Sequence, residues 1–114
     1  MNDLSHKRCI PCEGGAEALT TEEIKEFMDR VPGWTLEEQK QIHKDFSFKD
    51  FREALSFINE VGDVAEYEGH HPDLFLHNWN KVRVSLSTHA LKGLSENDFI
   101  MASKIDRTKS EMAE

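Results

Sequence analysis

Several features that are scarce or missing in this sequence limit what the protein can be. No apolar run approaches the 18 or more residues of a membrane-spanning helix, so no such helix is expected. Basic residues are in deficit, with 14 lysines and arginines against 22 acidic residues and a net charge of −8. Because a nucleic-acid-binding surface needs a basic patch, we expect no nucleic-acid partner. The polar N-terminus also lacks the apolar core of a signal peptide, so we expect a cytoplasmic protein.

Only two cysteines are present, Cys9 and Cys12, and they form a C-x-x-C pair. A thioredoxin-type redox pair lies at a strand-to-helix turn, whereas this pair lies in a polar, glycine-containing stretch. Two thiolates also fall short of the four ligands of a closed zinc site, although His6 would be a third. We expect residues 1–18 to be a flexible polar leader with free thiols. A redox role and a weak metal site are the alternatives.

The 114 residues suffice for one domain with a modest hydrophobic core, which we place at residues 19–108. Apolar residues recur at helical spacing in three segments, which begin near Thr20, Lys49 and Ser95. Between them, short alternating segments predict two β-hairpins. The order α-β-β-α-β-β-α favours an α+β fold in which a four-stranded antiparallel sheet carries three helices on one face. Residues 109–114 are expected to be a frayed polar tail.

Four of the six histidines lie in the segment 66–89, which therefore carries most of the candidate chemistry. His70 and His71 follow Gly69, a helix-stop residue, and precede Pro72, which favours an extended backbone. The two imidazoles are thus expected on a turn that leaves a helix. Imidazole titrates near neutral pH, so it suits proton transfer in both directions.

A predicted strand supplies a third imidazole. Apolar and polar residues alternate over the segment 82–89, which places Ser87 and His89 on the face opposite the apolar side chains. If this strand runs beside the helix end, His70, His71 and His89 converge on one cleft. The other histidines, His6, His43 and His77, are interpreted as structural or surface residues.

The same residues also have other interpretations. Asp98 follows Ser95 at the spacing of a helix cap, so it is either a residue of the catalytic site or a structural capping residue. Glu66, one turn before His70, either reaches the cleft or is an ordinary solvated acid. A metal site is a further alternative, but adjacent histidines on an extended backbone point in different directions, and no H-x-x-x-H spacing is present.

Four motifs resemble the pterin-4a-carbinolamine dehydratases, and bacterial members of that family in particular. The likeness spans roughly residues 18–106, and the C-x-x-C leader also looks like that of bacterial members. The motifs are E-x-x-x-H-H-P from Glu66 to Pro72, N-K-V from Asn80 to Val82, L-S-T-H from Leu86 to His89, and G-L-S-E-x-D from Gly93 to Asp98.

The resemblance implies an enzyme that removes water from 4a-hydroxytetrahydropterin to give quinonoid dihydropterin, in pterin cofactor recycling. It implies no metal or organic cofactor and a homodimer or homotetramer. The family's three catalytic histidines fall on His70, His71 and His89. The implied substrate-binding residues are Glu66, Pro72, Ser87, Thr88 and Asp98.

This reaction needs a general acid at the leaving oxygen and a base for the proton on ring N5. We expect His70 and His89 to share these roles, in an order that the sequence leaves open, and His71 mainly to hold the pterin. One departure from the family is Gly69, at a position that is often acidic in animal members. The alternative function is a non-catalytic one, pterin binding or protein dimerisation as a scaffold or transcriptional cofactor.

Overall fold

A computed structural model of the chain describes residues 4–9 and 18–112. The elements follow the predicted order, and the expected fold class is confirmed. No helix in these residues has the length and apolar character needed to cross a membrane. In chain order they are α1 (Thr21–Met28), β1 (Thr35–Glu37), β2 (Gln41–Ser47), α2 (Phe51–Glu68), β3 (Asp73–His77), β4 (Lys81–Leu86) and α3 (Glu96–Met112).

The four strands form one antiparallel sheet in the order β1-β2-β4-β3, so β2 and β4 lie at its centre. Ile42 pairs with Leu86 and Phe46 with Val82, and all four side chains are buried. Because side chains alternate between the two faces of a strand, this register places an apolar row on one face. The opposite face carries polar side chains such as Arg83, which donates two hydrogen bonds to Asp45 at 2.8 and 3.0 Å.

Aromatic contacts join the helices to the apolar face of the sheet. The ring of Phe57 in α2 lies 4.9 Å from the rings of both Phe46 and Phe48. Phe27 in α1 stacks on Phe99 in α3, with ring centroids 5.1 Å apart. These contacts fill one core between the sheet and the three helices.

Local capping signals set the helix ends, and the helix stop predicted at Gly69 is one of them. The Thr20 side chain accepts a hydrogen bond from the Glu23 N–H, and the Glu23 carboxylate accepts one from the Thr20 N–H, which completes a capping box. Gly69 ends α2 in the left-handed conformation, with φ of 69°, and donates its N–H to the Ala65 carbonyl at 2.8 Å. His70 therefore lies immediately beyond the last turn of α2.

Both ends of the chain differ from the expected irregular leader and frayed tail where the structure describes them. Leu4–His6 form a 3₁₀ turn, Leu4 is buried, and Lys104 of α3 donates to the Ser5 carbonyl at 2.8 Å. The last helix continues to Met112, beyond the expected end of the domain. Cys12, the second member of the C-x-x-C pair, lies outside the described residues.

Two glycines of the second helical segment have opposite conformational requirements, which allows a matched test. A Cβ on Gly62, inside α2, meets no atom within 4 Å, so Gly62→Ala is expected to stabilise the protein by about 0.5–1 kcal/mol. Gly69→Ala adds the same methyl group at a φ of +69°, and we expect a loss of about 1 kcal/mol. Urea unfolding measures both free energies, and changes of the same sign would contradict this account.

Candidate active site

A cleft of about 720 Å³ opens where the C-terminal end of α2 meets the end of β4. All three predicted catalytic histidines line it, together with Pro72, Ser87 and Thr88. The remaining lining residues come from three parts of the chain: Arg8 and Cys9 near the N-terminus, Glu68, Gly69 and Asp73 around the α2–β3 connection, and Ala90 and Asn97.

His70 is held by a fully buried carboxylate behind it. Its Nε2 lies 2.7 Å from Oδ1 of Asp98, and the exposed fractions of the two side chains are 12% and 0%. Oδ2 of Asp98 accepts the Thr88 hydroxyl at 2.8 Å and the Ser95 N–H at 3.0 Å. Because a carboxylate acts as an acceptor, Nε2 of His70 is the donor, and Nδ1 is the ring nitrogen left for other chemistry. Asp98 thus combines the capping role with a direct contact to a candidate catalytic residue.

His71 has a different environment. Its Nε2 lies 2.7 Å from Oε2 of Glu66, and both side chains are exposed. Neither Glu66 nor Asp98 is among the residues that line the cleft. The structure therefore brings both predicted acids to the site as hydrogen-bond partners of histidines.

The predicted fourth strand is shorter than expected, but its side-chain alternation continues past its end. The strand ends at Leu86, and Thr88 then donates its N–H to the Gly93 carbonyl at 2.8 Å and keeps its side chain buried. Ser87 and His89 consequently both face cleft space, as predicted. They also line a second cleft of about 520 Å³, which is bordered by the β1–β2 hairpin. His89 therefore lies between the two clefts.

Glu68 is a site residue that the sequence analysis missed. Its side chain is only 1% exposed and accepts the Cys9 N–H at 2.8 Å, with Lys104 Nζ and Arg8 Nε each 3.4 Å from its oxygens. Burial alone raises the pKa of Glu68, but the Cys9 hydrogen bond and the two cationic neighbours outweigh it and hold that pKa below its usual value. No sequence pattern marks this residue, because its partners lie far from it along the chain.

Cys9 has the properties of a protected thiol. Burial, followed by the negative charge of Glu68, raises the pKa of Cys9 to about 12. The thiol is therefore protonated at neutral pH, unlike the low-pKa thiolates of redox enzymes. Among the described residues, neither Cys9 nor any histidine belongs to a group of three or more side chains that could hold a metal ion.

Comparison with known proteins identifies the family. The family model for pterin 4 alpha carbinolamine dehydratase matches residues 17–108, which include the whole sheet, all three candidate histidines and Asp98. The chain belongs to this family. The enzyme class expected from the sequence, a pterin-4a-carbinolamine dehydratase, is thereby confirmed.

Relatives of this dehydratase match it over nearly its full length. A protein of Alkaliphilus metalliredigens assigned to the same activity is 45% identical over 112 residues, which cover 97% of this chain and 100% of that relative. The mitochondrial pterin-4-alpha-carbinolamine dehydratase 2 of Arabidopsis thaliana is 42% identical over 115 residues, which cover 97% of this chain and 62% of that protein.

Solved structures share the fold. A crystal structure from Brucella melitensis, described as a transcriptional coactivator/pterin dehydratase, has a TM-score of 0.75 and 34% identity, and covers 81% of this chain and 98% of its own. A pterin dehydratase-like protein identified as a RuBisCO assembly factor has a TM-score of 0.57 at 19% identity, over 67% of this chain and 88% of its own, which shows a common fold alone.

The lowered pKa of Glu68 predicts a pH-dependent contribution to stability. A carboxyl whose folded-state pKa lies below its unfolded value stabilises the fold above the unfolded value, here about 4.5, and loses this contribution as the pH falls through the folded pKa. We expect Glu68→Gln to destabilise the dehydratase by about 2 kcal/mol at pH 7, because the site loses the buried negative charge that accepts the Cys9 N–H and pairs with the partly buried Lys104.

The pH dependence distinguishes this effect from a simple packing defect. The difference between wild type and Glu68→Gln in free energy of unfolding should shrink below pH 4.5, as followed by urea denaturation across pH. Glu66→Gln, two residues earlier on the exposed side of α2, is the matched control and should change stability by about 0.5 kcal/mol or less. A pH-independent loss in Glu68→Gln would contradict the assignment.

Proposed function

We propose that this chain catalyses the dehydration of 4a-hydroxytetrahydropterin to quinonoid dihydropterin by general acid–base catalysis from histidines. The observation that supports it most directly is the convergence of His70, His71 and His89 on one cleft in a member of the pterin dehydratase family. A cleft of about 720 Å³ has the size of an ordinary small-molecule site.

The chemistry needs one proton donor and one proton acceptor. The acid protonates the 4a-hydroxyl, the bond between C4a and this oxygen breaks, and water leaves. The base removes the proton from N5, and the electron pair of the N–H bond forms the double bond between C4a and N5. No electrons are gained or lost overall, and the two imidazoles recover their original protonation by exchange with solvent.

The contact with Asp98 favours His70 as the base. With Nε2–H donated to Asp98, Nδ1 carries the lone pair that accepts the proton from N5, and the carboxylate stabilises the resulting imidazolium, as in other His–Asp pairs. His89 is exposed and therefore exchanges protons readily with solvent, which suits the acid that protonates the leaving hydroxyl.

In this mechanism the other predicted site residues bind the pterin or position the histidines. His71, held by Glu66 at 2.7 Å, mainly holds the pterin. Pro72, Ser87 and Thr88 form the walls against which the flat ring system lies. Glu66 and Asp98 act through the histidines and are positioning residues.

The wider setting is part of the same proposal. We propose a cytoplasmic homodimer or homotetramer that acts in recycling of a reduced pterin cofactor. Support for self-association comes from two edge strands, β1 and β3, and from exposed aromatic side chains on the sheet and α2, such as Phe75 and Phe51.

A non-catalytic role is the alternative. The Brucella melitensis neighbour is described as a coactivator as well as a dehydratase, so pterin binding or protein association without turnover remains the second candidate. Activity decides between the two, because a scaffold does not need three imidazoles in one cleft.

Alanine substitutions of the histidines test the proposed roles. His70→Ala and His89→Ala should each lower kcat by about 10²-fold or more, since each removes one proton-transfer group. His71→Ala should mainly raise KM. The measurement is a stopped assay of 4a-hydroxytetrahydropterin dehydration with the uncatalysed rate subtracted. His77→Ala, whose ring stacks on Phe75 4.8 Å away and outside the cleft, is the control. Wild-type turnover in all three cleft variants would refute the mechanism.

Asp98→Asn tests the positioning of His70. The amide keeps the shape of the carboxylate but no longer favours Nε2–H over Nδ1–H, so we expect kcat to fall by roughly 10²-fold while KM stays within about twofold. Nitrogen NMR of the His70 ring should report protonated Nε2 in wild type and a shifted tautomer population in Asp98→Asn. An unchanged tautomer accompanied by full activity would contradict this role.

A further inference from the structure

One wall of the cleft comes from the N-terminal segment, Leu4–Cys9, which the proposed mechanism does not use. Arg8 and Cys9 of this segment line the cleft together with the three histidines. Of the described residues that line it, Arg8 is the one permanently charged cation. Its side chain is 60% exposed, so it is accessible to solvent and to a ligand.

The last turn of α2 fixes the position of this guanidinium. The Arg8 guanidinium carbon lies 4.2 Å from the centre of the Tyr67 ring, and Nη1 donates to the Tyr67 hydroxyl at 3.1 Å. Nε lies 3.4 Å from Oε1 of Glu68. Tyr67 and Glu68 directly precede Gly69 and His70, so Arg8 is held at a defined place relative to the proposed base.

The segment itself is attached on both sides of Arg8. On one side Leu4 is buried in the core, and the Ser5 carbonyl accepts a hydrogen bond from Lys104. On the other side the Cys9 N–H donates to Glu68 at 2.8 Å. Arg8 therefore lies in a segment that is anchored on both sides, and Glu68 is the residue that joins this segment to α2.

We propose that Arg8 is a substrate-binding residue of this dehydratase, and that Glu68 positions it by holding the N-terminal segment against α2. The inference rests on the proposed function of the cleft. A guanidinium donates hydrogen bonds in a planar fork and so recognises an oxygen acceptor. On a reduced pterin, the acceptor is either the ring carbonyl or the hydroxyls of the substituent at C6.

The closing experiment compares Arg8→Ala with Lys7→Ala. Lys7 is the adjacent cation of the same segment, but it pairs with Glu96 and does not line the cleft. Arg8→Ala should raise KM for 4a-hydroxytetrahydropterin by about tenfold and leave kcat within about twofold. This pattern indicates the loss of an interaction that is equally strong in the bound substrate and in the transition state. Lys7→Ala should leave both constants unchanged. An unchanged KM in Arg8→Ala overturns the proposal while the dehydratase function stands.

A second measurement separates direct contact from displacement of the segment. In a Cys12→Ser background, the rate of alkylation of Cys9 by iodoacetamide reports whether the segment stays in place. Arg8→Ala should leave this rate near that of the parent, whereas Glu68→Gln should raise both the rate and KM. Faster alkylation in Arg8→Ala would assign its effect on KM to displacement and overturn the direct contact.

Two substrates identify the acceptor. If Arg8 binds the C6 substituent, Arg8→Ala should raise KM for the dihydroxypropyl substrate but not for the 6-methyl substrate. If it binds the ring carbonyl, both values of KM should rise equally. Should wild type show no acceleration, the proposed function fails, and the dissociation constant of a dihydropterin then tests Arg8 directly. Equal binding by wild type and Arg8→Ala would overturn the inference in that case.

Discussion

The buried carboxylate of Asp98 is the interaction on which the geometry of the site depends. Its two oxygens contact the start of α3 through Ser95, the end of β4 through Thr88, and the residue that follows α2 through His70. A buried carboxylate is costly unless its oxygens accept hydrogen bonds, so these three elements must meet for the fold to be stable. The same requirement orients the imidazole, so the stability of the fold and the geometry of the proposed active site depend on one contact.

A second buried carboxylate, Glu68, connects further parts of the chain close to this site. It lies at the end of α2, two residues before His70, and binds the N-terminal segment and α3. Asp98 thus holds His70 itself, whereas Glu68 joins the end of α2 that precedes it to the N-terminal segment and to α3. Glu66 lies on the same helix turn as Glu68 but is exposed, which shows that burial rather than proximity in sequence separates their roles.

The features that were predictable from sequence depend on local contacts. The Thr20 capping box, the helix stop at Gly69 and the alternation over 82–89 each involve residues a few positions apart. The role of Glu68 was not predictable, because its partner Cys9 is 59 positions away and lies in a stretch without periodicity. The resemblance placed Glu66 and Asp98 near the site, but only the three-dimensional arrangement distinguishes a residue that lines a cleft from one that contacts a histidine from behind.

The contact between Lys104 and the Ser5 carbonyl joins positions 99 residues apart. On a ribosome, α3 emerges after every other element described here. A nascent chain can form the Thr20 capping box and both hairpins early, but the contacts of Lys104 with the Ser5 carbonyl and with Oε2 of Glu68 form only after α3 is released. The cleft is consequently among the last parts of the protein to form during synthesis, and a chain stalled before α3 carries the His70–His71 pair without an active site around it.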